Sequence, residues 1–362
     1  MIDFLVIGGG IAGLSAAARL SELGHCHVLE RETATGYHAS GRSAAMFEET
    51  YGSPSTIALN QASKHWHLEV AGAKNTPRGL MLLGHAGNAD AFAADLISMS
   101  MDRLTIPEAQ AMIPVLDASK ITQVGYHAEA WDIDTDAVMA RFIKMLKTNG
   151  GAVTTGAEVT AITRDGNHWR VTAGEEYAAH HIINAAGAWA DQIATLAGVT
   201  PLGLQPLRRS MARVPAPDGL DVAKWPMLFG PGETWYAKPD AGALLISPAD
   251  EDPCAPMDAW ADDMVLATGI AHFQDHVTTP VTRMLSNWAG LRTFSPDRGL
   301  CLGPSEVTGF WWCAGQGGYG FQTAPAASQL LADLVGGRPP QIDPQAVAAL
   351  SPARFAKTSR GA

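Results

Sequence analysis

Phe4-Leu5-Val6-Ile7-Gly8-Gly9-Gly10-Ile11-Ala12-Gly13 is the stretch that decides the fold. Its unbroken apolar run reads as a strand buried on both faces, and the glycines at 8, 10 and 13 read as a tight turn into a helix, expected over Leu14 to Leu23. Gly8 makes the turn, Gly10 lets the backbone approach a pyrophosphate, and Gly13 lets helix and strand pack closely. The helix N-terminus offers unpaired N–H groups and a positive dipole end to phosphates. A second apolar run, His27-Val28-Leu29, closes on Glu30, where a carboxylate can accept hydrogen bonds from a ribose diol. Strand, turn, helix, strand and acid in that order predict a dinucleotide-binding unit.

At 362 residues the chain is long for one core and suggests two domains. A net charge of −11 argues against nucleic acid as a partner, and a small acidic substrate would need arginines of its own. Cys26, Cys254, Cys301 and Cys313 show no metal-ligand spacing, so a reducing compartment and no metal site are expected. Asp3 precedes the first apolar run and no basic segment does, which argues against a signal peptide. No apolar stretch reaches about 18 residues, so no membrane-spanning segment is expected, and the location predicted is cytoplasmic.

Further along, a Gly/Ser-rich loop covers Gly36 to Ser43, and a helix is expected from Ser55 to Val70, with His65 and His67 as surface or interface histidines. The segment from Gly79 to Trp131 reads as strands and one helix. Asp134-Thr135-Asp136 supplies the cap of a helix carrying Val138, Phe142 and Leu146. A hairpin follows from Val159 to Val171, turning at Asp165-Gly166. The strand His181-Ile182-Ile183 runs into Asn184-Ala185-Ala186-Gly187, a second junction of small residues. Pro206 to Ser247 is β-rich, and Gly309 to Ala314 leads into Gln316-Gly317-Gly318-Tyr319-Gly320 and a helix expected from near Thr323. The nucleotide domain is therefore read as discontinuous, over 1–80, 135–204 and 288–362. A substrate domain takes 81–134 and 205–287.

Four stations together carry a resemblance. The glycine motif with Glu30, Gly41-Arg42-Ser43, Asn184 to Trp189, and Trp288-Ala289-Gly290-Leu291-Arg292 resemble the glutathione-reductase-type FAD fold of the D-amino-acid oxidase superfamily. Gly36 to Ala45, Asp132 to Ala137, Leu196 to Ser210, Trp225 to Leu228, Lys238 to Gly242 and Gln316 to Thr323 are most similar to the bacterial D-arginine-type D-amino-acid dehydrogenases within it. The resemblance implies an α/β protein, with an FAD-binding Rossmann domain and a second β-rich (α+β) substrate domain.

The resemblance also implies roles. FAD would lie against Gly8, Gly10, Ile11, Ala12, Gly13, Glu30 and Arg31, against Gly41, Arg42, Ser43, Ala44 and Ala45, and against Val159, Ala186, Gly187 and Trp189. The last glycine turn would add Gly317, Gly318, Tyr319, Gly320, Gln322 and Thr323. Arg209 and Arg292 fall where that family binds the substrate carboxylate, a natural task for bidentate guanidinium groups. Adjacent Arg208 is the alternative to Arg209. Tyr236 would bond the same carboxylate, Tyr51 would ride a mobile loop over the substrate, and the Gly318 carbonyl would meet the amine. Met46, Glu48, Leu80, Met227 and Phe229 would form the substrate pocket.

Departures from the family's pattern bear on specificity. A family carboxylate for a guanidinium side chain falls at Leu80, a histidine at Met46, a threonine at Glu48 and a smaller residue at Phe229. The implied reaction is hydride transfer from a D-amino acid to FAD N5, and the imino acid then hydrolyses to a 2-oxo acid and ammonia. A quinone or O2 would reoxidise the flavin. Alternatives are a secondary-amine oxidase of the sarcosine or glycine type and a non-catalytic flavoprotein subunit of a dehydrogenase complex. Cys301 falls near the place where sarcosine oxidases attach flavin covalently, with a buried strand thiol as the other reading.

Overall fold

The computed structural model describes residues 1–70 and 76–356; residues 71–75 and 357–362, which the expected nucleotide segments include, lie outside the described residues. The strand Ile2–Ile7 pairs in parallel with Cys26–Leu29 on one side and Glu175–Asn184 on the other. Ala152–Thr154 extends this eight-stranded sheet beyond Cys26–Leu29, and Phe310–Ala314 extends it beyond Glu175–Asn184, both in parallel. Alternate residues of the first strand enter different cores. Leu5 and Ile7 pack with Ile182 and Trp312, while Phe4 and Val6 pack with Ile183 and Cys313 under the helices Ile11–Leu20 and Gly320–Val335. Burial on both faces is why the run has no polar interruption.

Several expected boundaries move. The first helix begins at Ile11, because Gly10 is already the extended residue that caps it, and it stops at Leu20, whose carbonyl receives the Gly24 N–H. The last helix begins at Gly320, three residues before Thr323. In the hairpin Asp165 pairs with His168, so Gly166 and Asn167 make the turn, one residue later than expected. Residues 79 to 131 hold two α-helices, Ala89–Ser98 and Ile106–Met112, not one. The helix Pro54–His65 continues as a π-helical turn, Trp66–Val70, which buries His67 instead of leaving it on the surface.

A second, nine-stranded sheet is mostly antiparallel. Its longest pairing joins Gln205–Pro215 to Ser286–Phe294, a strand that the expected boundary at 288 would cut. Ala243–Ser247, Tyr236–Asp240 and Met227–Phe229 follow, and the last pairs in parallel with Leu80–Gly84. One face of this sheet, with Met81, Leu228, Leu244 and Ile246, packs on the helix Asp263–Gln274 through Leu266 and Phe273. The other carries Leu80, Met211, Phe229, Tyr236 and Leu245.

Candidate active site

A cleft enclosing about 1820 Å³ of empty space, open solvent at its mouth included, is walled by both sheets. The first sheet and the loops that follow its strands contribute Gly8, Gly10, Ile11, Ala12, Glu30, Arg31, Val159, Ala186, Gly187 and Trp189. Arg42, Ser43, Ala44 and Ala45 line it from the Gly/Ser loop, and Gly317, Gly318, Gly320 and Gln322 from the last glycine turn. The second sheet adds Arg209, Tyr236 and Arg292, with Met46 beside them.

On the first-sheet side the backbone sets the shape. Gly8 has φ +111, and a Cβ there would strike the Ala185 carbonyl. A Cβ at Gly13 would overlap the Gly8 carbonyl oxygen, so Gly13 works behind the cleft by close packing and does not line it. The Ile11 N–H donates to the Ser40 hydroxyl at 3.0 Å. Glu30 is buried and accepts from the Gly9 N–H at 2.7 Å and the Glu32 N–H at 2.9 Å. Arg31 lies 4.9 Å over the Trp189 ring.

Arg42 is not free for a phosphate. It donates to Asp258 at 2.5 Å, the Ala259 carbonyl at 2.9 Å and the Ala289 carbonyl at 2.8 Å, and so ties down a segment whose Met257 and Ala259 also line the cleft. Sequence reasoning missed that segment, whose lone acid, Asp258, belongs to no motif that marks a site. Gly41, Tyr319 and Thr323 stand outside the lining. The Gly41 N–H bonds the Gly36 carbonyl, and the Thr323 hydroxyl bonds the Tyr319 carbonyl, so both serve the turns themselves.

On the second-sheet side, strand alternation separates the adjacent arginines. Arg209 faces the cleft, whereas Arg208 is outside it, paired with Asp252 at 2.6 Å and Asp250 at 3.5 Å. The Arg209 guanidinium is buried, bonded to the Asp250 carbonyl at 2.9 Å and to Glu251 at 3.1 Å. Arg292 lies against Gly318, its Nη1 3.1 Å from where a Cβ would stand. Its side chain shows no hydrogen bond or ion pair to a described residue. Burial pulls its pKa down, but the hydroxyls of Tyr236 and Tyr51 and the carboxylates of Glu233 and Glu251 outweigh this and hold it above the ordinary arginine value. The Tyr236 hydroxyl, Thr293 Oγ1 and Gln322 Nε2 are buried without a hydrogen-bond partner, and all three residues line the cleft.

Tyr51 is outside the lining, its ring 5.3 Å from that of Tyr319. Burial and then the Glu233 carboxylate raise its pKa well above 10, so it stays protonated. Glu233 has φ 53 in the turn after Pro231-Gly232 and was missed by the sequence reading, although Pro-Gly marks that turn. Leu80, Met227 and Phe229 also stand one layer back, packed against Met46, Met211 and Tyr236, which do line the cleft. Glu48 is buried away from the cleft. Its Oε1 accepts from the Thr50 N–H at 3.0 Å and hydroxyl at 2.7 Å and lies 3.5 Å from His127 Nε2.

Cys301 is a buried strand thiol 3.5 Å from Arg354, outside the lining, and burial pushes its pKa up to about 11. Among the described residues no group of three or more His, Cys, Asp or Glu could hold a metal ion, and no helix is long and apolar enough to cross a membrane.

These features fit a flavin dinucleotide. The glycine cradle would be filled by any Cβ, and three buried polar atoms face the cleft without partners. Comparison with known proteins points the same way. The chain is 27% identical, over 98% of its length, to the tRNA 5-methylaminomethyl-2-thiouridine biosynthesis bifunctional protein MnmC of Burkholderia vietnamiensis, and it spans 59% of that relative's length. A D-amino acid dehydrogenase of Xanthobacter autotrophicus is 39% identical over 72 residues, 20% of this chain and 16% of that one. The L-proline dehydrogenase of P. horikoshii has the same fold, with a TM-score of 0.83 over 98% of both chains at 21% identity. A family model described as FAD dependent oxidoreductase matches residues 3–334, and the chain belongs to that family, with FAD as its cofactor.

Proposed function

We propose that the enzyme oxidises the Cα–N bond of a D-amino acid with an uncharged side chain, giving an imino acid that hydrolyses to a 2-oxo acid and ammonia. The observation that carries the reading is the unpaired Arg292 guanidinium beside the partnerless Tyr236 hydroxyl. A substrate carboxylate supplies what both lack, through charge-assisted bonds that also fix orientation. Arg209, bonded to a Glu251 carboxylate that it shares with Arg298, adds positive potential. The Gly318 carbonyl is the acceptor for the amine. FAD, when bound, supplies the two-electron acceptor.

No described carboxylate or histidine lines the second-sheet side of the cleft, so the amine must arrive already neutral. Behind Met46, Met211 and Tyr236, the apolar layer of Leu80, Met227 and Phe229 offers nothing to a cationic side chain. Similarity to a D-amino acid dehydrogenase supports the D-isomer over 72 residues only.

A secondary-amine substrate is the second reading. Its support is that two of the proteins matched over nearly the whole chain are named for L-proline and for a methylaminomethyl group. The charge of −11 speaks against a substrate carried on tRNA.

Anaerobic titration of the holoenzyme with D- and L-amino acids, proline and N-methylglycine separates these readings. Bleaching of the flavin by D-methionine or D-leucine supports the proposal, and bleaching only by proline or N-methylglycine replaces it with the second reading. No bleaching by any amine would make the chain a non-catalytic flavoprotein. Admitting O2 or a quinone afterwards identifies the acceptor.

A further inference from the structure

The helix Gly320–Val335 contains Pro325, which has no N–H for the Phe321 carbonyl and crowds it. The turns around Pro325 are tied from behind by the helix Pro54–His65 and its π-helical continuation. The Ala326 N–H donates to the Ser63 hydroxyl at 3.1 Å, and that hydroxyl donates to the Thr323 carbonyl at 3.5 Å. The Gln322 carbonyl lies 3.0 Å from His67 Nε2. A carbonyl only accepts, so Nε2 carries the hydrogen. Burial lowers the His67 pKa to about 4 against the opposing Gln322 and Phe321 carbonyls, and the ring is neutral near pH 7. In front, the same turns face the cleft through Gly318, Gly320 and Gln322, and the Gln322 side-chain amide is buried with Nε2 unpartnered.

We propose that His67, with Ser63, is a positioning residue for the flavin. By holding the backbone where Pro325 removes an N–H, it sets where the Gln322 amide and the first N–H groups of the helix point. Those dipoles stabilise the negative charge that reduction places on the cofactor. The inference rests on FAD filling this cleft, and flavin content tests that separately.

The decisive measurement is the flavin midpoint potential of the holoenzyme, by equilibration with a reference dye. His67→Phe should lower the equilibrium constant for flavin reduction about tenfold, or about 30 mV for two electrons. His67→Gln, which can still donate to the Gln322 carbonyl, should stay within about twofold of wild type, and Ser63→Ala should shift about threefold in the same direction. Unchanged potentials in flavin-replete His67→Phe and Ser63→Ala overturn the proposal. So does a His67→Gln shift as large as that of His67→Phe. If His67→Phe yields no holoprotein, Ser63→Ala decides alone, and an unchanged potential there overturns it.

Discussion

On the first-sheet side of the cleft, backbone atoms set the contours, and of its two acidic side chains Glu30 already accepts two N–H groups while Glu158 lies 3.3 Å from Arg31. On the second-sheet side the wall is side chains, and Arg292 and Tyr236 wait for partners that no described residue supplies. On the first-sheet side the buried polar atom left open is Gln322 Nε2, so most of that surface is shaped in advance for one cofactor. Unsatisfied groups raise the free energy of the empty site and return it on binding, which makes them selective for a ligand of the right charge. On the proposed function, retention and discrimination would be divided between the two sheets, and each could be disturbed without the other.

Removing Arg292 tests the division most severely. Arg292→Ala should cut kcat/KM at least a hundredfold, from losing about 3 kcal/mol of charge-assisted bonding, with flavin content unchanged. Loss of flavin in parallel with activity would show that the two sides are not separable.

Substrate choice sharpens the account of the second side. D-Methionine or D-leucine should exceed D-arginine in kcat/KM by about ten- to two-hundredfold, the worth of one charge-assisted contact of roughly 1.5–3 kcal/mol that Leu80 cannot make. Glu48→Gln should leave that ratio alone, since Glu48 is bonded to Thr50 and turned from the cleft. A wild-type preference for D-arginine that the variant abolishes would return Glu48 to the site.

The pH profile follows from the two shifts described. Arg292 is held above the arginine range and Tyr51 well above 10, so both keep their protons up to about pH 10. The substrate amine must be neutral to react. kcat/KM should therefore climb about tenfold per pH unit below the amine's pKa, with no fall on the alkaline side up to about pH 10. A profile flat from mildly acid to alkaline pH contradicts this.

The smallest effect belongs to the first side. Glu30→Ala should weaken FAD about fivefold, roughly 1 kcal/mol, because the backbone cradle survives. Fluorescence titration of the apoprotein measures it, and kcat at saturating FAD should not change.

The first side was legible because its determinants are local. Gly8, Gly10, Gly13 and Glu30 lie within one βαβ unit, and their spacing alone dictates the turn. The second side is assembled from strands far apart in sequence. Nothing near Arg209 announces that it bonds Glu251 while Arg208 faces away; that depends on which face of Gln205–Pro215 meets the cleft. The shielding of Leu80, Met227 and Phe229 by Met46, Met211 and Tyr236 is likewise a property of sheet stacking. Glu233 escaped notice because its significance lies in a left-handed backbone angle and in the tyrosine it meets.

The order of strands in the first sheet has a consequence for how the protein is made. Ile2–Ile7 is flanked by Glu175–Asn184, and the sheet continues to Phe310–Ala314, which leads into the helix bearing Gln322. The ribosome therefore releases the glycine turn early and the residues that finish the cleft late. A chain halted near residue 300 has the phosphate cradle and both second-sheet arginines, yet lacks the last glycine turn and the helix that packs on the first. Loading of the flavin is in this sense a report that synthesis has passed residue 335, and partial chains should emerge from the ribosome colourless.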